Sequence, residues 1–446
     1  MSWESDFERL SALTCVKWTH HRSSQNHQAS KDQGAPLAQG HLGPGGPAGF
    51  GGRPIIPAWV ADMDLPPAPA VTDAIRALVD PGDLGYNFAA AEQLPRAFAE
   101  RQRHRFGWQL DWQHEAGFTA EIRPGGLRLF CDVLQAVELA LWAHTSPGDG
   151  IVLFTPVYAP FYRAIQSCGC RLVEVPLDPG TWRLDPERLE AAIDPGTRAI
   201  LTCDPHNPTG RSFSRAELTA IADVAEHHDL LVVSDEIWAD IVYPDAPPHI
   251  PIASISPETE RRTVTVAAAS KAFNLAGLRC AIAHIGHPGV AERARELPGH
   301  LLGAVASTSA AATLAAWTLG DEWLAETLAH LHANRDYLAS RLSAELPEVR
   351  FSVPEATYLA WLDFSATALC DGAVAGQGDS TAAGQCSDPT DRRDPTDRLL
   401  AEAQVALSKG SDFSAQAGNY VRLNFATTRA LLEEMIDRIV GAVRGA

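Results

Sequence analysis

The chain of 446 residues has a formal net charge of −19, with 46% hydrophobic and 20% charged residues. Its length allows two or three domains with ample core, and its acidity argues against nucleic acid or an anionic membrane as main partner, since both need basic surface. The start, MSWESDFERL, lacks the pattern of a secretory signal, and no run of about 18 apolar residues suggests a membrane span. The eight cysteines (Cys15, Cys131, Cys168, Cys170, Cys203, Cys280, Cys370 and Cys386) are scattered. They read as reduced thiols in a cytoplasm, not as a disulfide framework or a zinc site.

Residues 1–53 form an N-terminal segment, of which 22–53 is rich in Gly, Pro, Gln and Ser. Such a stretch has too little to bury to offset its ordering entropy and reads as loop or disorder. An amphipathic helix is expected over 127–144, ended by SPGDG, with IVLF following from Ile151. Further short strands are expected at RLVEV (from Arg171), RAILT (from Arg198), LLVVSDE (from Leu230) and TVTV (from Thr263), with a helix over 215–228. Apolar strands alternating with helices predict an α/β fold, a mainly parallel sheet covered by helices, over 54–300. A smaller α+β domain is expected over 301–446, with helices at 304–319 and 323–346, then strands RFSV and TYLAWLDF. A helix near 395–407, the strand YVRLNFA and a last helix from Arg429 complete it. Leu432, Met435, Ile436, Ile439 and Val443 make a core stripe on that helix. The segment 371–398 contains DPTDR twice and reads as a disordered insert.

Ligands of an open α/β sheet bind beyond the carboxyl ends of its strands. Three polar residues fall there: Asn207 in LTCDPHNPTGR, Asp235 in VVSDEIW, and Lys271 after TVTVAAAS. Each has an ordinary explanation as well. A strand-end lysine usually emerges into solvent, an aspartate there can cap a helix, and Asn-Pro is a common turn.

The motifs CDPHNPTGR, SDEIWADIVYP, SKAFNLAGLR and NYVRLNFAT resemble, in order and spacing, the class I/II aminotransferase-like enzymes that use pyridoxal 5′-phosphate in the fold called type I. PAWVADMDLPPAPAVTDAI from Pro57, GYN at 85–87 and the KW of LTCVKWTHH are similar to the subgroup of cysteine-S-conjugate and cystathionine β-lyases. The resemblance runs from about residue 54 to the end, outside the insert. It implies that Lys271 holds the cofactor covalently and, once freed, removes the substrate Cα proton. Asp235 would face the pyridine nitrogen, and Asn207 would donate to the 3′-oxygen. Arg279 and Ser270 would bind the phosphate, together with Gly125 and Gly126 of RPGGLRLF, expected just before a helix. Tyr158 would stack on the pyridine ring. Tyr86 would reach the phosphate of a neighbouring subunit, which implies a homodimer with shared sites. Arg422 would grip the substrate carboxylate, with a structural ion pair as its competing role. Trp238 stands where many aminotransferases carry a tyrosine, and it offers only an indole N–H.

The implied activity is a pyridoxal-phosphate carbon–sulfur β-lyase that cleaves cystathionine or other cysteine S-conjugates to pyruvate, ammonia and a thiol. An aminotransferase is the alternative. A third possibility, a regulator using this fold as a sensor, needs a DNA-binding helix-turn-helix ahead of residue 54, where the chain has its Gly/Pro-rich stretch. A small amino acid is the expected partner, with no metal, nucleic acid or membrane.

Overall fold

The computed structural model describes residues 3–19, 53–110, 122–370 and 394–445. Of the segments expected to be loop or disorder, 22–53 and 371–398, residues 22–52 and 371–393, with Cys386, lie outside the described residues, whereas Pro395–Arg398 is helical. The strands in chain order are β1 (Ile56–Pro57), β2 (Gly126–Phe130), β3 (Gly150–Thr155), β4 (Arg171–Pro176), β5 (Thr197–Cys203), β6 (Leu231–Asp235) and β7 (Thr263–Ala267). After them come β8 (Ala281–Ile285), β9 (Arg350–Phe351), β10 (Leu359–Asp363), β11 (Val405–Ala406), β12 (Ser408–Lys409) and β13 (Tyr420–Asn424).

The larger of two compact units comprises Pro66–His330 and Pro354–Thr357. Its seven-stranded sheet has the order β2-β8-β7-β6-β5-β3-β4. Strands β3 to β7 pair in parallel, whereas β8 runs against both β7 and β2. Strand β2 therefore points the same way as β3 to β7. Every residue of β3, β5 (save Arg198), β6, β7 and β8 is buried, which is why these segments are nearly continuous apolar runs. The helix Arg215–His227 begins with a capping box in which Ser214 and Glu217 satisfy each other's backbone amides.

The helix expected from residue 127 starts later. GLRLF alternates apolar and polar residues and forms the edge strand β2. The helix proper is Val133–His144, opened by Asp132, whose carboxylate accepts from the Gln135 amide at 2.7 Å. Periodicity misses this junction because Leu127 and Leu129 fit either pattern.

The other unit comprises Met1–Leu65, Leu331–Val353 and Tyr358–Ala446. By contacts, then, the N-terminal residues belong with the C-terminal ones, and the larger unit continues past the boundary expected at 300. This unit holds an antiparallel sheet, β12-β13-β10-β9, and a parallel pair, β1-β11. The last helix, Arg429–Gly445, buries the expected stripe of Leu432, Met435, Ile436, Ile439 and Val443. The helix expected over 395–407 is broken at Gln404, which takes a left-handed conformation before β11. No helix among the described residues is long and apolar enough to cross a membrane.

Candidate active site

Three neighbouring strand ends of the large sheet deliver the polar residues. Cys203, at the end of β5, pairs in register with Asp235, at the end of β6. Asp235 in turn pairs with Val266, one residue before the end of β7. The turn carrying Asn207 follows β5, and the turn carrying Lys271 follows β7. Asn207 and Asp235 are buried, and Lys271 and Ser270 are half-buried.

Asp235 accepts a hydrogen bond at Oδ1 from the Ile237 amide, at 3.0 Å. Burial pushes its carboxyl up to about 7; the Ile237 amide and the Lys271 charge pull downward, while Glu236 pushes further up. A buried acid poised in this way is suited to a cationic partner, which would restore its ionised form. Lys271 Nζ lies 5.6 Å from the ring centroid of Trp238, which is fully buried, a cation–π separation.

The chain has four lysines, Lys17, Lys31, Lys271 and Lys409. Lys17 is bound to Asp64 at 2.7 Å, and Lys409 lies 3.0 Å from Asp397 and 3.3 Å from Asp394. Lys31 lies outside the described residues. Lys271 thus differs in facing an aromatic ring beside a buried acid.

The loop beyond Lys271 is tightly wound. Amides of Phe273 and Leu275 bond back to the carbonyls of Ala269 and Ser270, both at 2.9 Å. Asn274 and Arg279 adopt left-handed backbone angles, φ 58° and 53°, which side chains other than glycine take only where their surroundings impose them. Arg279 forms an ion pair with Asp132, the residue that opens the Val133–His144 helix.

Gly125 precedes β2 and Gly126 opens it, with no helix there, and the Gly125 amide bonds to the Ile285 carbonyl at 2.7 Å. Gly126 pairs with Ile285 and Phe130 with Ala281, so the two glycines sit at the amino ends of the parallel strands. A strand of this length spans roughly 13 Å at about 3.3 Å per residue. The expectation that Gly125 and Gly126 stand just before a helix is corrected accordingly. The helix N-terminus at Asp132 lies at the carboxyl end instead, beside Arg279.

Tyr158 is half-buried, with its ring 5.6 Å from that of Phe161. Tyr86 is 98% exposed, and its ring neighbours Phe88 at 6.2 Å.

In the other unit Arg422 is buried on β13. It donates to the Trp59 carbonyl at 2.8 Å and to the Ser408 hydroxyl at 3.2 Å, and its guanidinium carbon lies 4.8 Å from the Phe413 ring centroid. The segment 59–62 beside it has every carbonyl held by a side chain. Ser408 also binds Trp59 O at 2.7 Å, Asn424 binds Val60 O and Asp62 O at 2.6 Å each, and Tyr358 binds Ala61 O at 2.9 Å. Lys17 reaches Asp62 O at 3.2 Å as well as Asp64, and the Trp18 indole donates to the second oxygen of Asp64 at 2.8 Å. The KW and ADMD motifs are therefore two halves of one clamp. Asn424, two residues from Arg422 on the same strand face, was the one member of this set that strand periodicity could have flagged.

A lysine for a carbonyl carbon, a buried aspartate for a protonated ring nitrogen, an asparagine for a phenolic oxygen and an arginine at a helix N-terminus form a donor set that fits pyridoxal 5′-phosphate. The sheet order and this set define a type I pyridoxal-phosphate fold. The model of the family described as aminotransferase class I and II matches residues 131–439, and the chain belongs to that family. It is 32% identical over 400 residues to cystathionine beta-lyase PatB of Bacillus subtilis, covering 88% of this chain and 94% of that one. To the cystathionine beta-lyase of Corynebacterium glutamicum it is 28% identical over 391 residues, covering 87% and 94%. Its fold matches the pyridoxal-phosphate-bound C–S lyase of Staphylococcus hominis with a TM-score of 0.74 and 27% identity, covering 87% and 91%.

Proposed function

We propose that this protein is a pyridoxal-phosphate-dependent carbon–sulfur β-lyase acting on cystathionine or related cysteine S-conjugates. The observation that carries the reading is the likeness to cystathionine β-lyase relatives over 88% and 87% of the chain. When bound, pyridoxal phosphate supplies a carbonyl for covalent attachment and an electron sink for the pair left at the substrate Cα.

The residues of the chain do the rest. Lys271 would hold the cofactor covalently, and its uncharged amine would take the substrate Cα proton. Asp235 keeps the ring nitrogen protonated, and Asn207 donates to the 3′-oxygen. Arg279 and Ser270, with the N-terminus of the Val133–His144 helix, take the phosphate. Tyr158 stacks on the ring. Arg422 binds the substrate carboxylate through its planar fork, with the 59–62 carbonyls fixing its orientation. Tyr86, almost wholly exposed in the single chain, serves a second subunit, so the working unit is a homodimer. The described cysteines are free thiols, which supports a cytoplasmic setting.

The test is product analysis with cystathionine and S-alkylcysteines in the absence of a keto acid. The lyase reading expects pyruvate, ammonia and thiol through many turnovers. A single half-reaction that stalls until a keto acid is added would make the enzyme an aminotransferase.

A further inference from the structure

Behind Asp235 lies a buried charge cluster that the roles above do not use. His249, in the loop after β6, is fully buried between two carboxylates. Its Nε2 lies 3.1 Å from Glu236 Oε2, and its Nδ1 lies 3.3 Å from Asp204 Oδ2. The side chains of the three residues are 0%, 1% and 2% exposed. Each acid spends its other oxygen on the protein frame. Glu236 Oε1 accepts from the Ser234 hydroxyl at 3.0 Å and the Ile252 amide at 3.2 Å. Asp204 Oδ1 accepts from the Phe213 amide at 2.8 Å. The Phe106 ring packs edge-on against His249 at 5.2 Å between centroids and brings no charge.

The two acids occupy telling positions. Asp204 stands just after β5, three residues before Asn207, and its amide bonds to the Asp235 carbonyl at 3.0 Å. Glu236 follows Asp235 directly and pushes the Asp235 carboxyl up. Three buried carboxylates thus converge at two adjoining strand ends. Like charges in a dry site cannot all stay ionised without cations among them.

We propose that His249, held as an imidazolium between Asp204 and Glu236, is a positioning residue that keeps Asp235 ionised and ties the Asn207 turn to the end of β6. Burial alone would disfavour a charged ring, but Asp204 and Glu236 outweigh it and raise the His249 pKa to about 10. That charge offsets those of Glu236 and Asp204, and so lightens the push that Glu236 exerts on Asp235. Without it, the cluster takes up a proton, and Asp235 is the acid already poised to hold one. The inference rests on the reading of Asp235 as the partner of the pyridine nitrogen.

The experiment has two arms. In the first, the cofactor-free protein labelled with 15N-histidine is titrated by NMR; both His249 ring nitrogens should remain protonated through pH 8. A neutral ring at that pH overturns the proposal, and this arm needs no variant to fold. In the second, His249→Gln should lower kcat about 10- to 100-fold with KM changed less than about threefold. Adding Asp204→Asn, which removes one carboxylate along with the cation, should recover at least about fivefold of that loss, because charge balance is what His249 supplies. A fold-destabilising effect would instead worsen with the second change. Unaltered kcat in a folded His249→Gln protein, or no recovery in the double variant, contradicts the proposal. Failure of the Asp235 reading is separable, because it would show as normal turnover in Asp235→Asn whatever the state of the His249 ring.

Discussion

Lys17 and Lys271 are both sequestered ammonium groups in an acidic chain, yet their surroundings differ in kind. Lys17 is met at 2.7 Å by Asp64 and at 3.2 Å by the Asp62 carbonyl, with both side chains of the ion pair almost fully buried. Its charge is fixed in place, and its work is to hold the 59–64 segment. Lys271 faces the Trp238 indole at 5.6 Å, beside an acid that burial drives toward neutrality. A closely paired buried lysine is a strut, because breaking the pair would strand a carboxylate in the interior. One at a strand end, set beside an aromatic ring, can serve as a nucleophile or base once its amine is uncharged.

Substitutions should separate the strut from the reactive group. Lys271→Ala should abolish turnover, with a loss of more than about a thousandfold, and remove the visible absorbance of the bound cofactor while the fold persists; circular dichroism and a steady-state pyruvate assay check both. Asp235→Asn should keep the cofactor yet lower kcat about a hundredfold or more, since a neutral partner cannot hold the ring nitrogen protonated. Arg422→Ala should act mainly on KM, raising it about tenfold or more for every amino-acid substrate, because carboxylate binding serves ground and transition states alike.

Lys17→Ala should leave the chemistry of Lys271 intact but destabilise the protein by about 3–5 kcal/mol, the usual consequence of stranding a buried carboxylate. Denaturant unfolding measures it, and a stability change near zero would mean that Asp64 is satisfied without Lys17. The smallest effect concerns the cofactor-free protein. The folded pKa of Asp235 is raised from its ordinary 3.8 to about 7, so the folded state holds this proton where the unfolded state has lost it. Its contribution to stability therefore declines as pH rises from about 4 to 7 and stays low above that. Asp235→Asn should then stabilise the apoprotein by about 1–4 kcal/mol at pH 8 and by little at pH 4.

Lys271, Asp235 and Asn207 were legible in the sequence because each interrupts or follows an apolar run, and a parallel sheet brings such ends together. The resemblance supplied Arg422, and its burial on β13 between the Trp59 carbonyl and Phe413 could not have been read locally. Gly125 and Gly126 misled because Pro-Gly-Gly before an amphipathic stretch looks the same ahead of a strand or a helix; only the pairing of Gly126 with Ile285 settles which. His249 was invisible for a different reason. Its partners, Glu236 and Asp204, come from separate strand ends, and nothing in APPHIPIAS marks a histidine that will be enclosed by two acids. Lys17 and Asp64 are likewise far apart in the chain, so the clamp between two recognisable motifs appears only in three dimensions.

The account depends most on Lys271 being the one lysine set for covalent chemistry. Borohydride reduction of the cofactor-loaded protein, followed by peptide mapping, tests this directly, since the chain offers just four candidate positions. The cofactor should be found on the peptide containing Lys271 and on no other. Label on Lys17, Lys31 or Lys409 would contradict the site assignment, and the roles given to Asp235, Asn207 and Trp238 would fall with it.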